Sequence, residues 1–137
     1  MLEINQKTDP ENVELTIVFG LPLDYDTHRV TDATGLTPTK IWRPKEALAA
    51  NVNHIEWHHV VLLEGCTNLD DAMWASLELV WDSRSKILKL IEEDDASLTF
   101  CLFPFGWQVH SGWYIERRQT FERMAYLNAS LNFRIED

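Results

Sequence analysis

Cysteine is scarce in this chain and forms no pattern. Cys66 and Cys101 are the only two in 137 residues, and no CxxC occurs. That excludes a disulfide framework, a zinc knuckle and a thioredoxin-like redox motif. The signatures GxSxG, GxxxxGK[ST] and GxGxxG are missing too, which removes the nucleophile elbow, the P-loop and the dinucleotide fingerprint. No apolar run approaches the ~20 residues that span a bilayer. The polar, acidic opening MLEINQKTDPEN resembles neither a signal nor a transit peptide. Positive charge is also short: 12 Lys and Arg stand against 22 Asp and Glu, a net charge of −10. Such a surface repels phosphate backbones and anionic lipid, so nucleic acid and membrane are not expected partners. A basic protein, a peptide or a cation is favoured, although acidity also serves plain solubility. The expectation is a cytoplasmic protein with reduced thiols.

Apolar material is plentiful. The chain is 45% hydrophobic, with six Trp, six Phe and three Tyr, enough for a core that needs neither disulfide nor metal. Its length suggests one domain over 1–137, with residues 1–10 as a loose extension. From Val13, VELTIVFG alternates as a half-buried strand. THRVTDATG reads as a short helix with Val30 and Ala33 inward and Gly35 as its stop. LTPTKIWRP and HIEWHHVVLLE read as strands, the second a central one. Asn68 caps a helix carrying Asp70 and Asp71 in its first turn, with Met73, Leu77, Val80 and Trp81 at helical spacing. KILKLIEED follows as a second helix. ASLTFCLFPF is a strand with Cys101 as a small core residue, and GWQVHSGWYIE is a strand or hairpin. QTFERMAYLN is a helix burying Phe121, Met124, Ala125 and Leu127, and ASLNFRIED closes as a strand. The predicted class is α+β: a mostly antiparallel or mixed sheet with helices packed on it. Strand–helix–strand units at both ends suggest a pseudo-repeat.

Three of the five histidines fall in HIEWHH, His54–His59. On a strand, residues two apart share a face, so His54, Glu56 and His58 align on one side, and Ile55, Trp57 and His59 on the other. Side chains two apart start ~6.5–7 Å from each other. Three such residues converge poorly on one ion with zinc–nitrogen bonds of ~2.0–2.1 Å. Adjacent pairs sharing an ion, with His110 as a fourth ligand, make the metal alternative. A wet strand face is the plainer reading. Ser111 beside His110 forms no Ser–His pair, because neighbours on a strand point apart.

The stretch GLTPTKIW, Gly35 to Trp42, resembles the G-L-x-P-T-x-x-W signature of a bacterial family catalogued as domain of unknown function 4279. Trp57 after a variable loop, the bipartite acidic helix from Leu69 to Asp94 and the closing strand–helix–strand agree with it. The resemblance covers nearly the whole chain. Where the family often continues Lys-Gly-Asp, this chain has Arg43-Pro44-Lys45-Glu46, so the turn there differs. The resemblance implies an α+β fold and carries over no catalytic residue; some members look like immunity proteins beside secreted toxins. Within the motif, Gly35 ends a helix left-handed, Pro38 favours extended chain, and Trp42 is expected to anchor in the core.

The acidic run Glu92, Glu93, Asp94 and Asp95 sits at a helix C-terminus, the end that disfavours negative charge. It is either a solvated loop or a surface for a basic partner. Trp107 and Trp113 are interface candidates, since aromatics form many hot spots. Trp74 and Trp81, seven apart on one helix, are expected to cover the sheet. These residues point to a non-enzymatic protein-interaction domain without a cofactor, in its sharpest form an immunity-type protein binding a basic toxin. The alternative is a metal-binding protein or metal-dependent enzyme using His54, Glu56, His58 and His110.

Overall fold

A computed structural model describes residues 12–44, 53–105 and 113–134. In chain order these form β1 (Asn12–Pro22), α1 (His28–Thr34), β2 (Lys40–Trp42), β3 (His54–Glu64), α2 (Leu69–Trp81), α3 (Arg84–Glu93), β4 (Ser97–Phe105), α4 (Arg118–Tyr126) and β5 (Ser130–Phe133). The strands make one sheet in the order β2-β3-β1-β4-β5. All neighbours are antiparallel except β4 and β5. The fold is therefore α+β with a mixed sheet, as the residue pattern predicts. β1 holds the centre, with β3 beside it. The proposed repeat finds no support: β3 separates β1 from β2, whereas β4 and β5 are direct neighbours. The expected extension over residues 1–10 lies outside the described residues, as does most of the segment after Pro44.

Alternation along β1 decides the layers. Val13, Leu15, Ile17, Phe19 and Leu21 are all buried, and they form one cluster with Ile55 and Trp57 of β3, Leu98, Phe100 and Leu102 of β4, and the inward residues of α1, α2 and α3. This is the helix-bearing face. Trp57 is fully buried and meets Phe19 edge-on, ring centroids 5.5 Å apart. Burying side chains of this size supplies about 1.5–3 kcal/mol each. The opposite face carries Glu14, Thr16, Val18 and Gly20 of β1 with their cross-strand partners.

The helix ends follow their local chemistry. Asn68 accepts a hydrogen bond from the Asp71 amide at 2.8 Å, as a capping residue should. Gly35 closes α1 at φ 75°, its N–H reaching the Thr31 carbonyl at 2.8 Å. Asn128, at φ 49°, closes α4; the Ala129 N–H returns to Met124 and the Asn128 N–H to Ala125, the paired bonds of a Schellman turn. No described helix is long and apolar enough to cross a membrane.

Five expectations are corrected. Trp42 is not a core anchor. Ile41 faces the buried Trp57 across the β2–β3 pair, so Trp42 faces Glu56 on the opposite side, 51% exposed, with the Lys40 ammonium 3.6 Å from its ring centre. Cys101 is half-buried on the face opposite the core, because it pairs with Thr16 and not with an inward residue. Trp81 packs against the core and Trp74 does not; both meet α4, where Arg123 lies over the two rings at 4.1 and 4.2 Å. On α4 itself, Phe121 and Ala125 are exposed; the helix docks through Thr120, Met124 and Leu127, and Thr120 donates to Asp70 at 3.2 Å. Of the expected strand or hairpin at GWQVHSGWYIE, residues 113–116 form no strand and 106–112 lie outside the described residues.

Candidate functional site

Among the described residues every helix packs on the core side, and the opposite, helix-free face of the sheet is built by register. Gly20 pairs with Glu56 on one side and with Ser97 on the other; Val18 pairs with His58 and with Thr99. Three strands thus bring a glycine, a carboxylate, imidazoles and two hydroxyls into adjacent rows. A Cβ at Gly20 would stand 2.6 Å from Ser97 Oγ, so glycine leaves the floor of the sheet open here. Over this floor lies a cleft of about 630 Å³ whose lining includes Gly20, Leu21, Pro22, Leu23, His54, Glu56, Asp95, Ser97 and Thr99.

HIEWHH has the predicted parity. Ile55 and Trp57 are buried, while His54, Glu56 and His58 share the helix-free face. Glu56 bridges the two imidazoles: His54 Nε2 lies 3.0 Å from Oε2, and His58 Nε2 lies 3.0 Å from Oε1. A carboxylate only accepts, so each imidazole presents Nε2–H to it. These bonds hold the Glu56 carboxyl below its usual range, His58 contributing most, against the opposing cost of partial burial. Burial, joined by the charge on Glu56, raises the Cys101 thiol. His59, on the core side, stacks on Trp57 and bonds the Thr37 carbonyl through Nδ1 at 2.7 Å.

Among the described residues no three His, Cys, Asp or Glu side chains are arranged to hold a metal ion. His54 and His58 are the donors closest in sequence to such a role, with Glu56 between them. His110 lies outside the described residues.

The acidic run divides. Glu92 and Glu93 are exposed on α3. Asp94 accepts the Tyr25 phenol and pairs with Arg29 at 3.1 Å. That internal pairing accounts for an acid at a helix C-terminus. Asp95 adopts φ 63°, which lets the Ala96 N–H return to the Leu90 carbonyl, and it lines the cleft. Of the four, Asp95 alone joins Glu56 at the cleft. Trp113 is half-buried and meets Phe133 edge-on at 5.5 Å; Trp107 lies outside the described residues.

Gly20, Ser97 and Thr99 were not among the residues singled out from sequence. The available signal was Gly20 itself, an isolated glycine in an alternating strand, which marks a close approach or an open floor. The same face also exposes Val60, Leu62 and Phe105 beyond the cleft, with Phe103 stacked on Phe105 at 5.0 Å.

No curated protein and no solved structure matches the chain. Residues 9–137 match the profile described as Domain of unknown function (DUF4279). With nearly its whole length covered, the chain belongs to that family.

Proposed function

We propose that this is a non-enzymatic, cytoplasmic binding domain that grips a basic protein on the helix-free face of its sheet. An immunity-type inhibitor of a basic toxin domain is the sharpest form of this reading. The observation that carries it is the make-up of that face. Trp42, Val60, Leu62 and Phe105 are exposed there, interleaved by register with Glu14, Glu56 and Glu64. Exposed aromatics and aliphatics supply anchors, and carboxylates around them steer a cationic partner. The chain's charge of −10 acts in the same direction and disfavours nucleic acid.

The test is co-purification from native lysate at low and at high salt. A stoichiometric basic protein, retained at low salt and weakened at high salt, is the expected result. Its absence, including the products of neighbouring genes, contradicts the reading. The metal alternative has its own discriminator: a stoichiometric metal in tag-free protein, lost on His58→Ala, replaces this proposal.

A further inference from the structure

The geometry points to the cleft over Gly20 as a socket for an arginine side chain of the basic partner. This rests on the function proposed above and names what that partner inserts. The cavity of about 630 Å³ falls in the range of about 300–1,000 Å³ typical of ligand sites. It exceeds the needs of one side chain, so it takes an arginine together with the backbone of a loop tip.

The lining matches that occupant part by part. Pro22 and Leu23 offer an apolar wall for the aliphatic stem, while Leu21, its side chain in the core, meets the cleft with its backbone alone. Glu56 and Asp95 supply carboxylates, and among the described residues no lysine or arginine lines the cavity. His54 takes one Glu56 oxygen and His58 the other, which fixes the carboxylate plane. Each oxygen keeps a further lone pair, and a fixed planar carboxylate suits the guanidinium fork better than a point-charge ammonium. Ser97 and Thr99, on adjacent rows of β4, present hydroxyls to the amides flanking the arginine. Gly20 supplies the depth, since any Cβ there would fill the floor against Ser97 Oγ.

The experiment is an NMR titration of the full chain with N-acetyl-arginine-N-methylamide, with the citrulline analogue as the uncharged control. Arginine is expected to give saturable shifts at the Gly20, Glu56, Asp95 and Ser97 amides, and citrulline none. Asp95→Asn is the informative variant, because asparagine tolerates the left-handed backbone at this position. It should weaken arginine about tenfold with an otherwise unchanged spectrum; Glu56→Gln should weaken it as much, with shifts also at His54 and His58, which lose one acceptor oxygen. Equal shifts with citrulline, no saturation with arginine, or full affinity in both variants overturns the socket. Agmatine binding more tightly than the capped residue overturns a peptide source. If arginine binds the cleft but no basic protein co-purifies, the socket stands and the partner reading fails. If a basic partner binds both variants at full strength while arginine shows no saturation, the reverse holds.

Discussion

Ile41 and Trp57 face each other across the β2–β3 pair on the core side, and that contact sends the next residue, Trp42, to the helix-free face. The strand's parity leaves the indole no other course. Trp57→Ala should therefore cost about 3–5 kcal/mol, the loss of a fully buried aromatic. Trp42→Ala should stay within about 1 kcal/mol, since it removes an exposed ring and its contact with Lys40. Urea unfolding of the two variants checks this; a Trp42 loss as large as that of Trp57 would show the parity to be wrong.

The Tyr25 phenol donates a hydrogen bond to Asp94, and partial burial with that bond pushes its pKa up to about 12 from 10.0. A raised pKa means the folded chain holds a proton that the unfolded chain releases. The contribution is whole below pH 10 and fades as pH rises toward 12. Tyr25→Phe should remove the latest step of the phenolate absorbance titration and flatten the stability profile in that window. An unchanged titration would contradict the bond.

Arg123 closes a stack between α2 and α4, its guanidinium over the rings of both Trp74 and Trp81. Trp81 also meets Tyr126 edge-on at 5.6 Å. Glu78 stands 3.7 Å from Arg123 Nη1, inside ion-pair range but beyond a hydrogen bond. The indoles are thus the main partners of this cation. Arg123→Ala should cost about 1–2 kcal/mol and change the tryptophan emission, with lysine restoring only part. Glu78→Gln should cost far less; a larger loss there would make the ion pair the dominant contact.

Glu56 titrates below its usual range because two imidazoles donate to it. The sign is that of a depressed carboxyl: its contribution is whole above pH 4.5 and is lost as pH falls through the lower folded value. Glu56→Gln should flatten the acid limb of the stability curve. With the side chain 41% exposed, solvent screens the pair and the change is modest. An acid limb identical in wild type and variant would dissociate Glu56 from His54 and His58.

Local signals made much of the fold legible. Alternation in VELTIVFG predicts four inward residues of β1 (Val13, Leu15, Ile17 and Phe19), Asn68 and Gly35 mark helix ends, and HIEWHH carries its own parity. What stayed hidden depends on partners distant in the chain. Nothing local says that Ile41 meets Trp57, or that Trp74 and Trp81 turn to an arginine on α4. The cleft is the extreme case. It exists because Gly20 has Glu56 on one side and Ser97 on the other, a pairing that no spacing within β1 encodes. Asp95 enters it through a left-handed backbone that an acidic run does not announce.

The central claim is that the helix-free face does the binding. Leu62→Arg, combined with Phe105→Arg, changes only side chains exposed on that face and adds two positive charges; Phe121→Arg places one on exposed α4. Quantitative co-purification of the basic partner from native lysate, run side by side with wild type and both variants, is the most direct measurement. The account predicts stoichiometric recovery with wild type and Phe121→Arg, and loss with the paired sheet variant. Recovery undiminished by the sheet variant, or abolished by Phe121→Arg in a folded protein, would contradict it.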